Sequence, residues 1–333
     1  MRVRFRVVKD VVVPIVDIGI RSLARLPFAF AKTAGWSLGL LLKSAYFIPA
    51  SHLRNVSKDM AVLAGRNDPA RLCFRTADNL VRAFLGFRRL LRNGAEAVAD
   101  AMDFAPGSLE HCRRARDRYG AGILLVPHNA GAILAAAKFG REFPSVLLVK
   151  ESKSLRRRRV IARYLDKLGP ELVFVREADP KSIARALLDA FRKGKFVIGT
   201  TDLIRKRPDT VEVVVFGQRA WMPAWPARFA RRRNVPLIPC YVRFTKNGRL
   251  RILCGEPYRV TDVTEATQRW VARLEENILA FPEDWPFMFE KRWARLLAAA
   301  AQAARGEPGT KRAGSVHKPG ARHENSRTAS QDA

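Results

Sequence analysis

Between residues 122 and 254 short, almost wholly apolar runs alternate with amphipathic stretches, and this alternation restricts the fold more than any other feature of the chain. The runs cover residues 122–127, 145–150, 172–175, 196–200, 211–216, 236–244 and 250–254, each short enough for one strand. Segments this apolar need cover on both faces. Helical patterns over 133–139, 153–168, 180–192 and 226–233 supply it. The expected fold is α/β, with a central mixed, largely parallel sheet flanked by helices.

The flanks read differently. Up to about residue 103 the pattern is helical, and Leu80, Val81, Phe84, Leu85, Phe87, Leu90 and Leu91 recur at helical spacing beside Arg82, Arg88, Arg89 and Arg92. Such a basic amphipathic helix fits a solvated face on a core helix and direct membrane contact equally well. From about Arg305 the chain turns rich in Gly, Ser, Pro, Lys and Arg, as a disordered basic tail does. Three regions follow: a helical, membrane-associating part over 1–103, an α/β domain over 104–300, and a tail over 301–333.

Charge narrows the partners. The 61 Lys and Arg against 31 Asp and Glu give a formal net charge of +30, which favours anionic partners: nucleic acid, an anionic lipid surface or an acidic carrier protein. Zinc-finger spacing, an RNA-recognition aromatic motif and a helix-turn-helix are all absent, so no specific nucleic acid is expected. The amino terminus points to lipid. Arg2, Arg4, Arg6 and Lys9 precede an apolar run over 11–16 that Asp17, Arg21 and Arg25 interrupt, and a second run from Ala34 to Ile48 is broken by Lys43. Neither supplies the roughly 20 apolar residues of a transmembrane helix. Basic residues interleaved with Phe28, Phe30, Trp36, Tyr46 and Phe47 suit a helix lying in the headgroup region, although the same pattern also suits helices packed on the domain. Cys73, Cys112, Cys240 and Cys254 are scattered without a paired spacing, which argues against zinc and a disulfide framework. No metal or cofactor is expected.

Of five histidines, His317 and His323 fall in the tail, whereas His128 directly follows the apolar run ending at Pro127. The carboxyl end of a strand beside a helix start is where α/β proteins place ligands and catalysts. Asn129, Ala130 and Gly131 are small enough for close backbone approach, and the next helix offers free N–H groups to an anion. A structural histidine bonded to the backbone is the competing reading. The Gly-x-Ser-x-Gly elbow, the Walker loop, Gly-x-Gly-x-x-Gly and His-Glu-x-x-His are absent, so hydrolase, kinase, dehydrogenase and metalloprotease chemistry have no support.

The segment Leu125-Val126-Pro127-His128-Asn129-Ala130-Gly131 resembles the His-x4-Asp/Glu block of the lysophospholipid acyltransferase superfamily. From about Leu23 to Arg295 the chain is similar to its lipid A lauroyl/myristoyl acyltransferase branch. Leu26-Pro27, Gly35, Gly39 and Arg54-Asn55 match its amino-terminal region, and Lys150 stands near where the family usually carries an arginine. Gly199-Thr200-Thr201-Asp202, Val215-Phe216-Gly217, Pro226 to Ala230, Val235 to Pro239, Pro282-Glu283-Asp284-Trp285 and Lys291-Arg292-Trp293 follow in the family's order. The resemblance implies a glycerolipid acyltransferase-like fold and transfer of a fatty acyl chain to a hydroxyl of a lipid A-like glycolipid. It implies His128 as general base, Asn129, Gly131, Lys150 and Arg228 as substrate-binding residues, and an acyl thioester of acyl carrier protein or coenzyme A as co-substrate. The implied location is the cytoplasmic face of a bacterial inner membrane, peripheral or shallowly inserted.

One departure tests that reading. Where the family carries the acid that orients the imidazole, this chain has Ile133, which can neither accept the Nδ1 proton nor stabilise an imidazolium. Another acid can replace it, with Asp202 the leading candidate and Glu142 a second; a backbone carbonyl can orient the ring; or the protein has lost catalysis and kept lipid binding.

Overall fold

The computed structural model describes residues 17–19, 21–22, 24–152, 154–175 and 180–306. The basic segment 1–10, the apolar run 11–16 and residues 307–333 of the expected tail, with His317 and His323, lie outside the described residues, whereas 301–304, also placed in that tail, continue the last helix, Lys291–Ala304, and bury Ala301.

Seven strands form one sheet. They are β1 (Met102–Phe104), β2 (Ile123–Leu125), β3 (Ser145–Lys150), β4 (Glu171–Val175), β5 (Phe196–Gly199), β8 (Leu237–Phe244) and β9 (Leu250–Cys254), in the spatial order β1-β9-β8-β2-β5-β3-β4. The five from β8 to β4 run parallel, whereas β9 pairs antiparallel with β8 and parallel with β1. A separate antiparallel hairpin joins β6 (Thr210–Val215) to β7 (Gln218–Pro223). The sheet is thus mixed and mostly parallel, as the apolar runs require. Ten helices carry labels here: α1 (Phe28–Ser44), α2 (His52–Leu63), α3 (Pro69–Asp100), α4 (Ser108–Tyr119), α5 (Ala132–Glu142), α6 (Leu155–Leu165), α7 (Pro180–Arg192), α8 (Trp225–Arg233), α9 (Val263–Ala280) and α10 (Lys291–Ala304).

Two apolar cores cover the two faces of the sheet. On one, Ile123, Leu125 and Val197 pack with Trp270, Trp285 and Trp293; on the other, Leu124, Val126 and Ile198 pack with Leu134, Phe139 and Leu90. The second core includes Ala83, Leu90 and Val98 of α3, so the helical amino-terminal part shares its packing with the sheet. Met102–Phe104, at the expected border between the two, is an edge strand of that sheet.

Helix α1 is apolar on the outside. Ala31, Gly35 and Gly39, spaced four apart, form its buried face, and a Cβ on Gly35 or Gly39 would come within 3.1 or 3.2 Å of the Val81 side chain on α3. Phe28, Phe30, Trp36 and Leu41 stay exposed, and Phe47 and Ile48 extend the patch beyond the helix end. Burying only small residues lets the helix sit close to α3 while its large side chains face away from the protein. Among the described residues, no helix is long and apolar enough to cross a membrane.

Candidate active site

Strand β2 delivers the site. It lies between β8 and β5 at the middle of the parallel sheet, so the chain leaving its carboxyl end emerges at the edge where all five parallel strands end. His128 sits in the turn from β2 to α5. Gly131 closes that turn with φ of +82°, and a Cβ there would also lie 2.9 Å from the Leu250 side chain. Both the left-handed backbone and the close approach require glycine.

Asp202, three residues beyond the end of the neighbouring strand β5, meets His128 twice. Its Oδ1 lies 2.5 Å from the ring Nδ1, and its Oδ2 accepts the His128 backbone N–H at 2.9 Å. The aspartate is fully buried, while the histidine side chain is 36% exposed. Asp202 thus fixes the tautomer with the proton on Nδ1 and leaves Nε2 for a substrate. Two indoles fix Asp202 in turn: Trp285 Nε1–H donates to Oδ2 at 3.0 Å and Trp293 Nε1–H to the main-chain carbonyl at 2.7 Å. Phe287 stacks on the imidazole at 4.2 Å with planes 19° apart, which restricts rotation of the ring. Burial pulls the His128 pKa down, but the Asp202 charge and hydrogen bond overcome it, and the net shift is upward.

The loop is anchored from below by Asp284. Its carbonyl accepts the Ala130 N–H at 2.8 Å, and its carboxylate Oδ1 accepts from Asn79 Nδ2 at 2.8 Å and from the Phe244 N–H at 3.1 Å. Burial, the largest cause, pushes its carboxyl up to about 7, opposed by the Phe244 N–H. Asn129 was expected to touch substrate, yet its side chain is buried and both ends of the amide are engaged inside the protein. Its Nδ2 donates to the Asp284 carbonyl at 3.3 Å, and its Oδ1 accepts the Val242 N–H at 3.2 Å. Gly131 likewise faces Leu250 and Phe244 and shapes the turn. Lys150 ends β3, two strands from β2 on the same sheet edge, and Arg228 is exposed one turn into α8. Neither is among the described hydrogen-bond or ring partners of His128 and Asp202. Glu142 is held at the far end of α5, paired with Lys138 at 3.2 Å.

Sequence reasoning reached His128 and Asp202, saw Trp285 and Trp293 only as part of a family pattern without a role, and missed Phe287 and the anchoring role of Asp284. The one available signal was chemical: a buried tryptophan needs an acceptor for its N–H. Residues 2–295 match the family described as Bacterial lipid A biosynthesis acyltransferase. The chain belongs to this family. The lipid A acyltransferase family member is also similar to two proteins named phosphatidylinositol mannoside acyltransferase. One, from Mycolicibacterium smegmatis, is 28% identical over 205 residues, or 60% of this chain. The other, from Mycobacterium tuberculosis strain CDC 1551 / Oshkosh, is 25% identical over 212 residues, or 62% of this chain. Each match spans 65% of the relative's own length.

Ile133, at the family's acid position, is 44% exposed, whereas His128 Nδ1 already holds Asp202. Ile133→Glu should therefore leave acyl transfer within about twofold of wild type and stability within about 0.5 kcal/mol, as for other surface changes. Paired rate and thermal-melt measurements check this. A rate gain of tenfold or more would show that position 133 limits catalysis.

Proposed function

We propose that the protein transfers a fatty acyl chain from an acyl thioester to a hydroxyl of a membrane glycolipid, with His128 as general base and Asp202 as the residue that orients it. The buried Asp202 bonded to the partly exposed His128 is the observation that carries this reading. Nε2 takes the proton of the acceptor hydroxyl as its oxygen attacks the thioester carbonyl. The tetrahedral intermediate collapses by breaking the C–S bond, and the imidazolium returns the proton to the leaving thiolate. Asp202 stabilises the imidazolium between these steps. An acid that fulfils the role left vacant by Ile133 favours catalysis over a lipid-binding protein that has abandoned the reaction.

The acceptor class rests on family membership and on the relatives named for phosphatidylinositol mannoside; the donor is an acyl carrier protein or coenzyme A thioester. The test is acyl transfer from labelled donors of both kinds to total membrane glycolipid, comparing wild type with His128→Ala. Labelled glycolipid from wild type and none from the variant is the expected result. No product with either donor, or equal product from the variant, overturns the assignment.

We propose further that α1 seats the protein on the cytoplasmic face of the inner membrane, with its outward Phe, Trp and Leu residues among the acyl chains and nearby Lys and Arg at lipid phosphates. Trp36→Glu with Leu41→Glu should lower partitioning onto vesicles containing anionic lipid at least about 100-fold, since two large side chains contribute on the order of 1.5–3 kcal/mol each when buried. Both residues are exposed, so the melting temperature should barely move. Flotation with vesicles checks this, and unchanged partitioning would remove α1 from the membrane contact.

A further inference from the structure

A cavity of about 610 Å³ lies beside the His128 turn but outside the dyad, between the start of α1, one face of α3 and the ends of β8 and β9. Its walls divide by chemistry. Arg82, Arg88, Arg89 and Arg92 of α3 line one side; Leu134, Phe244 and Leu250 line another, the last two being the side chains against which Gly131 packs. Arg82, Leu85, Arg89 and Arg92 follow a three-four-three spacing that puts them on one helix face, and no acidic residue is found among the described lining residues.

Several arginines elsewhere in the protein do have a carboxylate partner. Arg66 meets Glu283, Arg141 meets Asp100, Arg163 meets Asp17 and Arg249 meets Asp103. Among the described residues, none of the four cavity arginines forms a salt bridge. Arg88 is the sharpest case. It is 7% exposed, its Nη2 donates to the Leu26 carbonyl at 2.6 Å, and its buried Nε has no hydrogen-bond partner among the described residues. A buried guanidinium that lacks a counter-charge and keeps an unbonded N–H is costly, and an anion with several acceptor oxygens relieves both deficits.

Resting on the acyl-transfer reading above, we propose that this cavity is a phosphate subsite that holds the phosphoryl group of an anionic lipid acceptor, with Arg88, Arg89 and Arg92 as its ligands. Phosphate also occurs on the prosthetic arm of the donor, so the source must be argued. Pro27 and Phe28 form part of the wall, so the cavity adjoins the helix whose large apolar side chains face outward. An amphiphile coming from a bilayer meets this opening with its phosphate toward the arginines and its apolar part along Leu134, Phe244 and Leu250. The cavity wall and the His128 turn share Gly131's packing partners, which puts the subsite next to the turn that carries the base.

The test is direct binding, which needs no turnover. Dioctanoyl phosphatidylinositol, kept below its micellar concentration, is titrated into the full-length protein by calorimetry. Arg89→Gln with Arg92→Gln changes two exposed residues and should raise Kd at least tenfold. Arg156→Gln with Arg159→Gln, the same charge change on α6, should stay within twofold. Dioctanoylglycerol, which lacks the phosphate, should not compete, and His128→Ala should bind as wild type does. Arg88→Lys, which retains charge but removes Nε, should weaken binding with a melt close to wild type. Equal loss in the α6 variant would show only general attraction and overturn the site. Undiminished lipid binding in the Arg89 and Arg92 variant would also overturn it, as would a loss confined to coenzyme A, which would assign the arginines to the donor. Because His128→Ala separates binding from chemistry, failure of the subsite and failure of the acyl-transfer reading give different results.

Discussion

Asp202→Asn should give a folded protein whose acyl transfer is lower by about 10⁴ in kcat, roughly 5 kcal/mol of transition-state stabilisation, the loss that the same change causes in serine protease triads. The reason is local geometry. The carboxylate accepts from the His128 backbone N–H and from Trp285 Nε1 on one oxygen and faces Nδ1 with the other. An amide in this place keeps its oxygen toward the two N–H donors and turns its NH₂ toward the ring. Nδ1 must then accept, the ring proton moves to Nε2, and the base is blocked. His128→Ala should cost a similar factor, and the double variant little more than either single one, because the two residues act as a unit. The pH profile offers a second readout. The base works only as neutral imidazole, so the rate falls as pH drops through its pKa, which Asp202 holds above the usual histidine value. Removing the charge should move that acid limb to lower pH. A loss smaller than tenfold in kcat, with the melt unchanged, would remove Asp202 from the mechanism.

The path to this pair shows what a sequence carries. Residues 145–150 and 250–254 form strands with the expected limits because uninterrupted apolar runs between polar breaks leave few alternatives. Asp202 was reachable through topology: it follows an apolar run, and parallel strands gather their carboxyl ends at one edge. Strand β7 was not, because Gln218–Pro223 mixes polar and apolar residues in a two-stranded hairpin and shows its alternation only as burial. The three residues of β1 are too few for any periodicity. Trp285 and Trp293 were visible as part of the family's closing pattern, yet their acceptor lies 83 and 91 residues away, and no local pattern encodes a partner at that distance. Position 133 misled for a related reason. The sequence shows that the acid is missing there but not that the Ile133 side chain is exposed while another carboxylate meets the His128 ring.

Asp284 should control stability as strongly as Asp202 should control rate. Asp284→Ala leaves the buried Phe244 N–H without its acceptor, which costs about 1–3 kcal/mol, and leaves Asn79 Nδ2 with only the longer bond to the Glu283 carbonyl at 3.3 Å, a further loss of about 1 kcal/mol, so about 2–4 kcal/mol is expected in all. Asp284→Asn keeps one oxygen for those donors and should retain most of the stability near neutral pH. The two variants also separate by pH. The folded carboxyl titrates at about 7 against an ordinary 3.8, so between these values the folded state binds more protons than the unfolded one. Wild-type stability from this group is therefore greatest below pH 4 and declines as pH rises toward 7, by at most about 4 kcal/mol for a shift of this size. Asparagine does not titrate, so the Asp284→Asn curve should lack this decline and gain on wild type with every step from pH 4 to 8. Urea unfolding across that range reads the difference, and parallel curves would mean that the buried carboxyl is ionised throughout. The side-chain bonds of Asp284 hold in place the segment whose main-chain carbonyl accepts the Ala130 N–H two residues from His128, so the alanine variant, which frees that segment to shift, should lose acyl transfer along with stability. The asparagine variant, with the main-chain bond and one side-chain acceptor intact, should keep its rate, which would place the anchor of the catalytic turn in the hydrogen bonds of Asp284 rather than in its charge.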